Sequence, residues 1–440
     1  MSIRFAARSL VLAPVLAALL SACGSDELGH GDPSSGSGGT PLTASSSSAT
    51  GGSAPDTSSA SSGGTGGAMP LPSVDSILAE LRANRDQALA AHAADTGWPV
   101  PVDGGHLFVS TDLSLTKLAG DHDDWAGTSM TPDQGFAWVV IAVPKDDHYK
   151  LTDGSKFVAD PWARSVDYDQ YGEISIVDAV SAHLDRHFSV GDAHLAPRTV
   201  RVWVPKGPVS RVLYVHDGQN LFDPNAPWGG WHLQDTAADG MLLVGIDNTS
   251  ARFDEYTHVQ DDIDESGNLV GGKGDDYADF LQNTVRPLVK KRYGEMGPIG
   301  VMGSSLGGLI SLEIAYRYPA DYAFAASLSG TMGWGSLGSA VHNQTMIQRY
   351  EAKGHQAPIL YIDSGGYGTT CADSDGDGTN DDDSNAGDNY CENVQLRDVL
   401  HDIGYVDGKD LHYWHEDGAQ HNEAAWAARV YRPLSIFAGL

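Results

Sequence analysis

The 440-residue chain has few cysteines, few basic residues and no long apolar stretches. It contains three cysteines, 27 lysine and arginine residues against 58 aspartate and glutamate residues, and a formal net charge of −31 at pH 7. So few cysteines exclude a small fold built mainly from disulfides. The acidic excess disfavours nucleic acids and anionic membranes as partners, because both would be repelled. No apolar stretch approaches the length that spans a membrane.

The first 22 residues read as an export signal, with Arg4 and Arg8 before a short apolar core and Cys23 directly after it. The segment resembles the lipobox of bacterial lipoproteins, which implies that Cys23 is lipidated and begins the mature chain. An ordinary signal peptide is the alternative. Gly24 follows in place of an aspartate, so the resemblance implies the outer membrane of a Gram-negative bacterium, on either face. Without the two arginines, 25 basic against 58 acidic residues give a net charge of −33.

Residues 23–72 are mostly Ser, Gly, Thr, Ala and Pro and show no periodicity. Such a segment cannot bury enough apolar surface to fold, so we expect a disordered tether between the lipid and a folded body. The remaining chain is long enough for two domains.

Residues 73–180 predict a helix followed by a small antiparallel β-sandwich. Apolar residues recur at helical spacing over 74–91, and short strand-like runs separated by turn residues follow. These runs are His106–Val109, Phe136–Val143 and Tyr149–Leu151.

Several segments resemble the early-set immunoglobulin-like modules that precede glycogen-branching enzymes and some exported esterases. They are the residues at 120–125, 138–143, 148–154 and 159–161. The resemblance implies an immunoglobulin-like fold that binds glucan or packs on a catalytic domain. Trp125, in the first segment, suits either a sugar platform or simple packing.

Residues 181–440 alternate strands with helices, which predicts a mostly parallel sheet in an α/β domain with an acidic insertion at 369–391. The predicted strands are Thr199–Val204, Val212–His216, Met241–Ile246, Pro298–Met302, Ala323–Leu328, Ile359–Ile362 and Leu411–His415. The predicted helices are Tyr277–Arg292, Gly307–Tyr318 and Asn422–Phe437.

A Gly-x-Ser-x-Gly pentapeptide lies between a predicted strand and a predicted helix, which is the context of a nucleophile elbow. Ser305 is the predicted nucleophile, because the small neighbours Gly303 and Gly307 let its side chain project clear of both elements. The backbone N–H of Leu306 would supply one oxyanion donor, and the loop after Val212–His216 a second, near Gly218 or Gln219.

The base must come from elsewhere in the chain. His421 lies in a polar loop between the last predicted strand and the last helix, and the order serine before histidine is that of α/β hydrolases.

Four motifs together resemble the putative esterase family, which includes esterase D, feruloyl esterases, enterochelin esterases and mycolyltransferases. They are His216–Asn220, Val244–Asn248 with Arg252 and Asp254–Tyr256, Gly303–Gly308, and His421–Glu423. The likeness extends over about 195–440. It implies an α/β hydrolase fold and a serine esterase in which Ser305 and His421 are catalytic.

The third member of the triad departs from the family pattern, because no acid stands at the usual offset after the strand at 359–362. Asp363 is the predicted acid, as the carboxylate nearest that strand's end. Glu392 is an alternative if a disulfide draws it near, and a Ser-His dyad without a close carboxylate is another.

The insertion predicts two further features. Cys371 and Cys391 are left as a pair in an exported chain, so a disulfide is expected, with free thiols as the alternative. Alternating acids followed by glycine match the first half of a calcium loop, although Ser384 stands where an EF-hand needs glutamate. A structural Ca²⁺ is therefore predicted, and a solvated acidic loop is the alternative. The predicted ligands are Asp373, Asp375, Asp377 and Asp381.

The sequence thus favours a surface-tethered serine esterase that needs no catalytic cofactor. Acylated polysaccharides and siderophore-type esters are the candidate substrates, and glycan is a candidate partner. An acyltransferase on the same fold, or a non-catalytic glycan-binding lipoprotein, are the alternatives.

Overall fold

The computed structural model describes residues 71–226, 229–338, 341–382 and 387–440. The predicted signal, Cys23 and nearly all of the predicted tether lie outside these ranges. Within them, no helix is both long enough and apolar enough to cross a membrane.

The chain folds into antiparallel strands followed by alternating strands and helices. The strands are β1 (Val100–Val102), β2 (Gly105–Ser110), β3 (Lys117–Gly120), β4 (Thr128–Ser129), β5 (Thr131–Pro132), β6 (Ala137–Ile141), β7 (Asp147–Thr152), β8 (Phe157–Val158), β9 (Ser165–Asp169), β10 (Gly172–Val177), β11 (His183–Val190), β12 (Arg198–Val204), β13 (Arg211–His216), β14 (Met241–Ile246), β15 (Gln260–Asp261), β16 (Val270–Gly271), β17 (Ile299–Ser304), β18 (Phe324–Leu328), β19 (Ile359–Ser364) and β20 (Leu411–His415). The helices are α1 (Val74–Ala83), α2 (Arg85–Ala94), α3 (Leu233–Thr236), α4 (Arg252–Glu255), α5 (Gly274–Phe280), α6 (Arg286–Tyr293), α7 (Leu306–Arg317), α8 (Met346–Lys353), α9 (Tyr390–Asp402), α10 (Glu423–Arg429) and α11 (Tyr431–Ala438).

The main sheet has the strand order of an α/β hydrolase, β11-β12-β14-β13-β17-β18-β19-β20. Strands β14 through β20 in this order are parallel, and β12 runs antiparallel to β14. Both faces are buried: in β13, Val212 and Tyr214 belong to one apolar core, and Leu213 and Val215 to the other. This alternation follows from the two-residue period of a strand.

The N-terminal part contains two antiparallel sheets. One has the order β1-β2-β6-β5, and the other, β9-β10-β7-β3-β4, continues the main sheet because Val166 of β9 pairs with Leu184 of β11. The rings of Phe108 and Tyr149, one on each sheet, lie 5.0 Å apart. The helix predicted over 74–91 is instead two helices, since Asn84 is extended and its side chain accepts a hydrogen bond from Gln87 N, which caps α2.

The register of the parallel strands brings their carboxyl ends to one edge of the sheet. Ser304 of β17 lies opposite Leu328 of β18, and Leu328 lies opposite Asp363 of β19. In such sheets, sites form at this edge, where the next residues of each strand emerge. Ser305 and Ser329 are therefore neighbours at this edge.

Candidate active site

Ser305 occupies the sharp turn between β17 and α7. Its backbone angles, φ 57° and ψ −124°, are rarely adopted by a residue with a side chain. The turn is tight because Gly303 and Gly307 touch: a Cβ atom on Gly303 would lie 2.6 Å from the carbonyl carbon of Gly307. This is the strained strand-to-helix geometry of a nucleophile elbow.

The side chain of Ser305 is buried, and its Oγ has no hydrogen-bond partner among the described residues. Its backbone N–H donates to the carbonyl of Leu328 at 2.9 Å, which fixes the turn against β18. The backbone that carries the hydroxyl is thus fixed, and no described group competes with a base for the hydroxyl proton.

His421 follows β20 and is held by a carboxylate that the sequence did not single out. Its Nδ1 lies 2.8 Å from Oδ1 of Asp388, and its ring packs edge-on against Trp426 with centroids 4.9 Å apart. When Nδ1 carries the proton, Nε2 is left as the acceptor. In the part of the chain that the structure describes, Nε2 has no hydrogen-bond partner.

Asp388 is positioned by donors on its second oxygen. Oδ2 accepts from Ser329 Oγ at 2.7 Å and from the backbone N–H of Gly365, and it lies 3.4 Å from Nη2 of Arg429. The carboxylate is buried, so this set of donors replaces the water it has lost. Ser329 directly follows Leu328, whose carbonyl accepts from Ser305 N. Few contacts therefore separate Ser305 from Asp388, the carboxylate bound to His421.

The sequence-based choice of Asp363 as the acid that orients His421 is therefore wrong in this structure. Asp363 lies at the end of β19 as predicted, but its oxygens accept from Arg429 Nε, Arg429 Nη2 and Tyr361 Oη at 3.1, 3.1 and 2.8 Å. The physical reason is the guanidinium of Arg429, with which the carboxylate forms a bidentate pair.

The alternative acid, Glu392, is also engaged elsewhere. It lies in the first turn of α9 and accepts from the backbone N–H of Gly333. Burial raises the pKa of Glu392 well above its ordinary value, which favours the uncharged form. An uncharged carboxyl at this place is poorly suited to stabilise an imidazolium.

The predicted oxyanion loop lies beside the elbow. Gln219 belongs to a short 3₁₀ turn, Gly218–Asn220, and its side-chain oxygen accepts from Asn248 N at 3.1 Å. Gly218 must be glycine, because a Cβ atom there would lie 2.7 Å from the backbone carbonyl carbon of Gly245. A Cβ atom on Gly307 would lie 3.3 Å from Oδ2 of Asp217, so the loop and the elbow are in contact.

An ion pair between Arg252 and Asp217 holds this loop in place. Arg252 donates to both oxygens of Asp217, at 2.8 and 3.0 Å, and Asn248 Nδ2 donates at 2.6 Å. Burial acts to raise the pKa of Asp217, but the Arg252 guanidinium outweighs it and holds the pKa below its usual range. The motif residues Asp217, Asn248 and Arg252 thus act as a scaffold for Gly218 and Gln219.

His216, the first residue of the same motif, is a core residue rather than a second base. Its Nδ1 lies 3.0 Å from the hydroxyl of Tyr277, and burial lowers the pKa of His216 to about 3. A histidine that stays neutral in this way does not take up a proton near neutral pH.

The acidic insertion at 369–391 contains Asp388. Cys371 and Cys391 form a disulfide with their Cα atoms 5.3 Å apart. Carboxylate oxygens of Asp373, Asp375 and Asp377 lie within 4.8 Å of one another. Asp381, the fourth predicted ligand, instead accepts from Ser374 N at 2.9 Å.

The insertion is tied to the helix that follows Asp388. Asp382 accepts from the backbone N–H groups of Tyr390 and Cys391 at 3.0 and 2.6 Å. These are the first two residues of α9, whose N-terminal groups lack partners within the helix. These two hydrogen bonds connect the insertion to the helix that begins two residues after Asp388.

Comparison with known proteins places the chain in a family. Residues 196–434 match the family model described as putative esterase, which is more than half of the chain. The chain belongs to the putative esterase family, and the resemblance drawn from its four motifs is confirmed.

Two curated relatives match shorter stretches. One is the uncharacterised protein YbbA of Bacillus subtilis, 28% identical over 134 residues, which are 30% of this chain and 53% of that protein. The other is the siderophore triacetylfusarinine C esterase of Aspergillus fumigatus, 24% identical over 169 residues, which are 37% of this chain and 58% of that protein. The chain spans about half the length of the curated relatives it matches.

Two hydrolases are among the solved structures that the chain matches, both at low TM-scores. An IroE-like serine hydrolase from Shewanella oneidensis is 17% identical with a TM-score of 0.42, and the match covers 58% of this chain and 79% of that one. The enterobactin esterase FES from Shigella flexneri is 15% identical with a TM-score of 0.41, and the match covers 75% and 92%.

Proposed function

We propose that this protein is a serine esterase that hydrolyses carboxylic esters through Ser305, His421 and Asp388. The observation that carries the proposal is the His421–Asp388 contact of 2.8 Å at the sheet edge where Ser305 occupies a strained elbow. The two atoms that must exchange a proton, Ser305 Oγ and His421 Nε2, are both without hydrogen-bond partners among the described residues. Membership of the putative esterase family supports the same reaction class.

The steps follow the geometry. Ser305 Oγ attacks the ester carbonyl while His421 Nε2 takes its proton and then returns it to the departing alcohol. Asp388 keeps the Nδ1–H tautomer in place and stabilises the imidazolium. Water, activated by the same histidine, then attacks the acyl-enzyme and releases the acid, which restores the Ser305 hydroxyl.

The backbone N–H groups of Leu306 and Gln219 are the proposed oxyanion donors. Leu306 is the first residue of α7, where N–H groups lack helical partners. Losing one such donor typically costs about 3 kcal/mol of transition-state stabilisation.

Acylated polysaccharides and siderophore-type esters are the proposed classes of substrate. Purified protein would be assayed with acetylated xylan, methyl ferulate and a siderophore ester, with an added acceptor alcohol in a parallel reaction. Free acid as the product supports hydrolysis, whereas a new ester of the acceptor alcohol would support the acyltransferase alternative.

Glycan binding by the N-terminal domain, in an immunoglobulin-like sandwich of the early-set type, is part of the proposal. A cavity of 740 Å³ there has aromatic walls formed by Trp125, Phe157, Tyr168 and Tyr171. Its polar lining mixes charges, because it includes the acidic side chains of Asp121, Asp167 and Asp169 as well as those of Lys150 and His148. Aromatic faces with both donors and acceptors suit a neutral, hydroxyl-rich ligand better than an ion.

Replacing Trp125 by alanine tests this proposal. Trp125 lies 6.3 Å from the Phe157 ring and forms one wall of the cavity. We expect the variant to lose at least about tenfold in affinity for a neutral polysaccharide, since burying a large apolar side chain is worth roughly 1.5–3 kcal/mol. Affinity electrophoresis measures the loss, and hydrolysis of a small ester serves as the control. Equal migration of variant and wild type in every polysaccharide gel would contradict the proposal.

A structural Ca²⁺ in the insertion is also proposed. Asp373, Asp375 and Asp377 offer the hard oxygen ligands that Ca²⁺ prefers, and their mutual repulsion would be relieved by the ion. The ion would supply charge neutralisation and order, with no part in the chemical steps.

Removing calcium is expected to lower the melting temperature by about 5 °C, because an ion bound at 100 times its Kd stabilises the fold by about 2.7 kcal/mol. Ester hydrolysis should fall in parallel, since the insertion presents Asp388. The measurement is a thermal scan with and without EGTA for wild type, Asp373→Asn and, as a control, Asp239→Asn at an exposed site outside the insertion. If EGTA lowers the melting temperature of Asp373→Asn as much as that of wild type, or does not lower it in wild type, the proposed calcium site is contradicted.

Lipidation at Cys23 and attachment to the outer membrane complete the proposal. They rest on the sequence of the first 24 residues. Metabolic labelling with palmitate, compared between wild type and Cys23→Ala, tests the anchor, and label in both proteins would contradict it.

A further inference from the structure

A second buried carboxylate lies behind the proposed catalytic acid. The Arg429 guanidinium, on α10, contacts both carboxylates: Nε and Nη2 bind Asp363 at 3.1 Å each, and Nη2 lies 3.4 Å from Asp388 Oδ2. The three side chains are 2%, 0% and 1% exposed for Arg429, Asp363 and Asp388. Charges buried this deeply interact strongly, because little water screens them.

Asp363 is surrounded by donors. Besides Arg429, Tyr361 Oη donates at 2.8 Å and the Ser329 backbone N–H at 3.0 Å. Burial is the largest effect and raises the pKa of Asp363 above its ordinary value, although the Arg429 guanidinium and the Tyr361 hydroxyl act to lower it. Four donated hydrogen bonds are the environment of an ionised carboxylate, so Asp363 and Arg429 together carry no net charge.

Ser329 connects this pair to the catalytic acid. Its N–H donates to Asp363, and its Oγ donates to Asp388 Oδ2 at 2.7 Å. The same Oγ accepts from Arg429 Nη2 at 2.5 Å and from Trp426 Nε1 at 3.0 Å. The backbone of Ser329 is left-handed, with φ 48°, which indicates that the contacts hold it against an intrinsic preference.

We propose that Asp363 and Arg429 form a positioning pair for the reaction: Arg429 fixes Asp388, and the charge of Asp363 cancels that of Arg429, so that Asp388 acts on His421 with its full negative charge. The inference rests on the proposed esterase function. Without the Asp363 charge, the guanidinium would compete with the imidazolium for Asp388.

The other charged groups near His421 do not replace this pair. Glu423, two residues away on α10, is buried, and burial raises the pKa of Glu423. It lies near Asp217 and Arg252, which are paired with each other. On the histidine's own loop, Glu416 accepts from Trp414 Nε1 at 2.7 Å and Asp417 follows it. Asp388 is the described carboxylate hydrogen-bonded to the ring.

The decisive variant is Asp363→Asn. Removing this negative charge leaves Arg429 uncompensated, which disfavours the imidazolium, so the base stays deprotonated to a lower pH. We expect the acidic limb of the kcat/KM profile to move down by about 0.5–1 pH unit and the plateau kcat to fall about tenfold.

The double variant Asp363→Asn/Arg429→Gln removes both charges and should return the acidic limb to within about 0.2 pH unit of wild type. Tyr361→Phe is the matched control, because it removes a hydrogen bond from Asp363 but no charge, and its limb should stay in place. If the pair had only a structural role, the double variant would have a kcat as low as that of the single variant or lower, and its acidic limb would not return. Asp363→Ser carries the same test if the asparagine variant does not fold.

A readout without turnover separates this inference from the esterase proposal. In the Ser305→Ala background, ¹⁵N-histidine NMR would follow the pH at which the His421 ring becomes protonated, with the signal assigned by its loss in His421→Gln. A shift to lower pH with Asp363→Asn, reversed in the double variant, supports the pair even if no ester is hydrolysed. An unchanged midpoint in the folded single variant overturns it.

Discussion

Ser305→Ala lowers kcat for p-nitrophenyl acetate by about 10⁴- to 10⁶-fold, if the hydroxyl is the nucleophile. The structure gives the reason, because Ser305 Oγ lies at the elbow without a hydrogen-bond partner among the described residues, and no covalent intermediate can form without it. Steady-state hydrolysis by purified wild type and variant measures the loss.

Ser304→Ala is the matched control, because it removes the adjacent hydroxyl at the end of β17 and leaves the elbow glycines in place. Its rate is expected to stay within about threefold of wild type, as for a substitution without a catalytic contact. Equal rates in wild type and Ser305→Ala would contradict the mechanism, and equal rates no faster than the uncatalysed reaction would favour the binding-protein alternative.

Asp388→Asn is the second large effect, a fall in kcat of about 10⁴-fold. An asparagine amide facing Nδ1 would present a donor where the ring also donates, so the ring would turn to the wrong tautomer. The contact being disrupted is the one of 2.8 Å between His421 Nδ1 and Asp388 Oδ1. The pH profile of kcat, with circular dichroism to check folding, measures the effect.

Glu392→Gln provides the comparison for this prediction, since it changes the neighbouring carboxyl that accepts from Gly333 N. We expect kcat of Glu392→Gln to change by less than about tenfold, because an uncharged carboxyl is replaced by an uncharged amide of the same shape. If kcat fell no further in Asp388→Asn than in Glu392→Gln, a Ser-His dyad without a functional carboxylate would be the better description.

The parts of the fold that follow local patterns could be predicted from the sequence. The strands predicted at 212–216 and 241–246 are those of the structure, because continuous apolar runs bounded by turns mark buried parallel strands. The elbow could also be predicted, since its glycines are required by a contact between residues four apart. Finer breaks were missed: the helix predicted over 422–437 ends at Arg429 and a new one begins at Tyr431.

Asp388 could not be predicted with the same rules, because its position depends on a disulfide and on a long insertion. It lies in the acidic insertion predicted at 369–391, beyond the last predicted calcium ligand, Asp381, and the chain leaves the end of β19 well before reaching it. One signal was available: Asp388 precedes Cys391 by three residues, so a disulfide that draws Glu392 near would also draw Asp388. Arg429 gave no signal, because its pairing with Asp363 joins a helix and a strand far apart in the sequence.

Covalent labelling tests whether Ser305 is the nucleophile activated by His421 and Asp388. A fluorophosphonate transfers its phosphonyl group to an activated serine oxygen with loss of fluoride, and peptide mass spectrometry locates the modified residue. We expect one label per chain, on Ser305, formed much more slowly in Asp388→Asn and His421→Gln. Labelling of another residue, or equal labelling of Ser305→Ala, would contradict it.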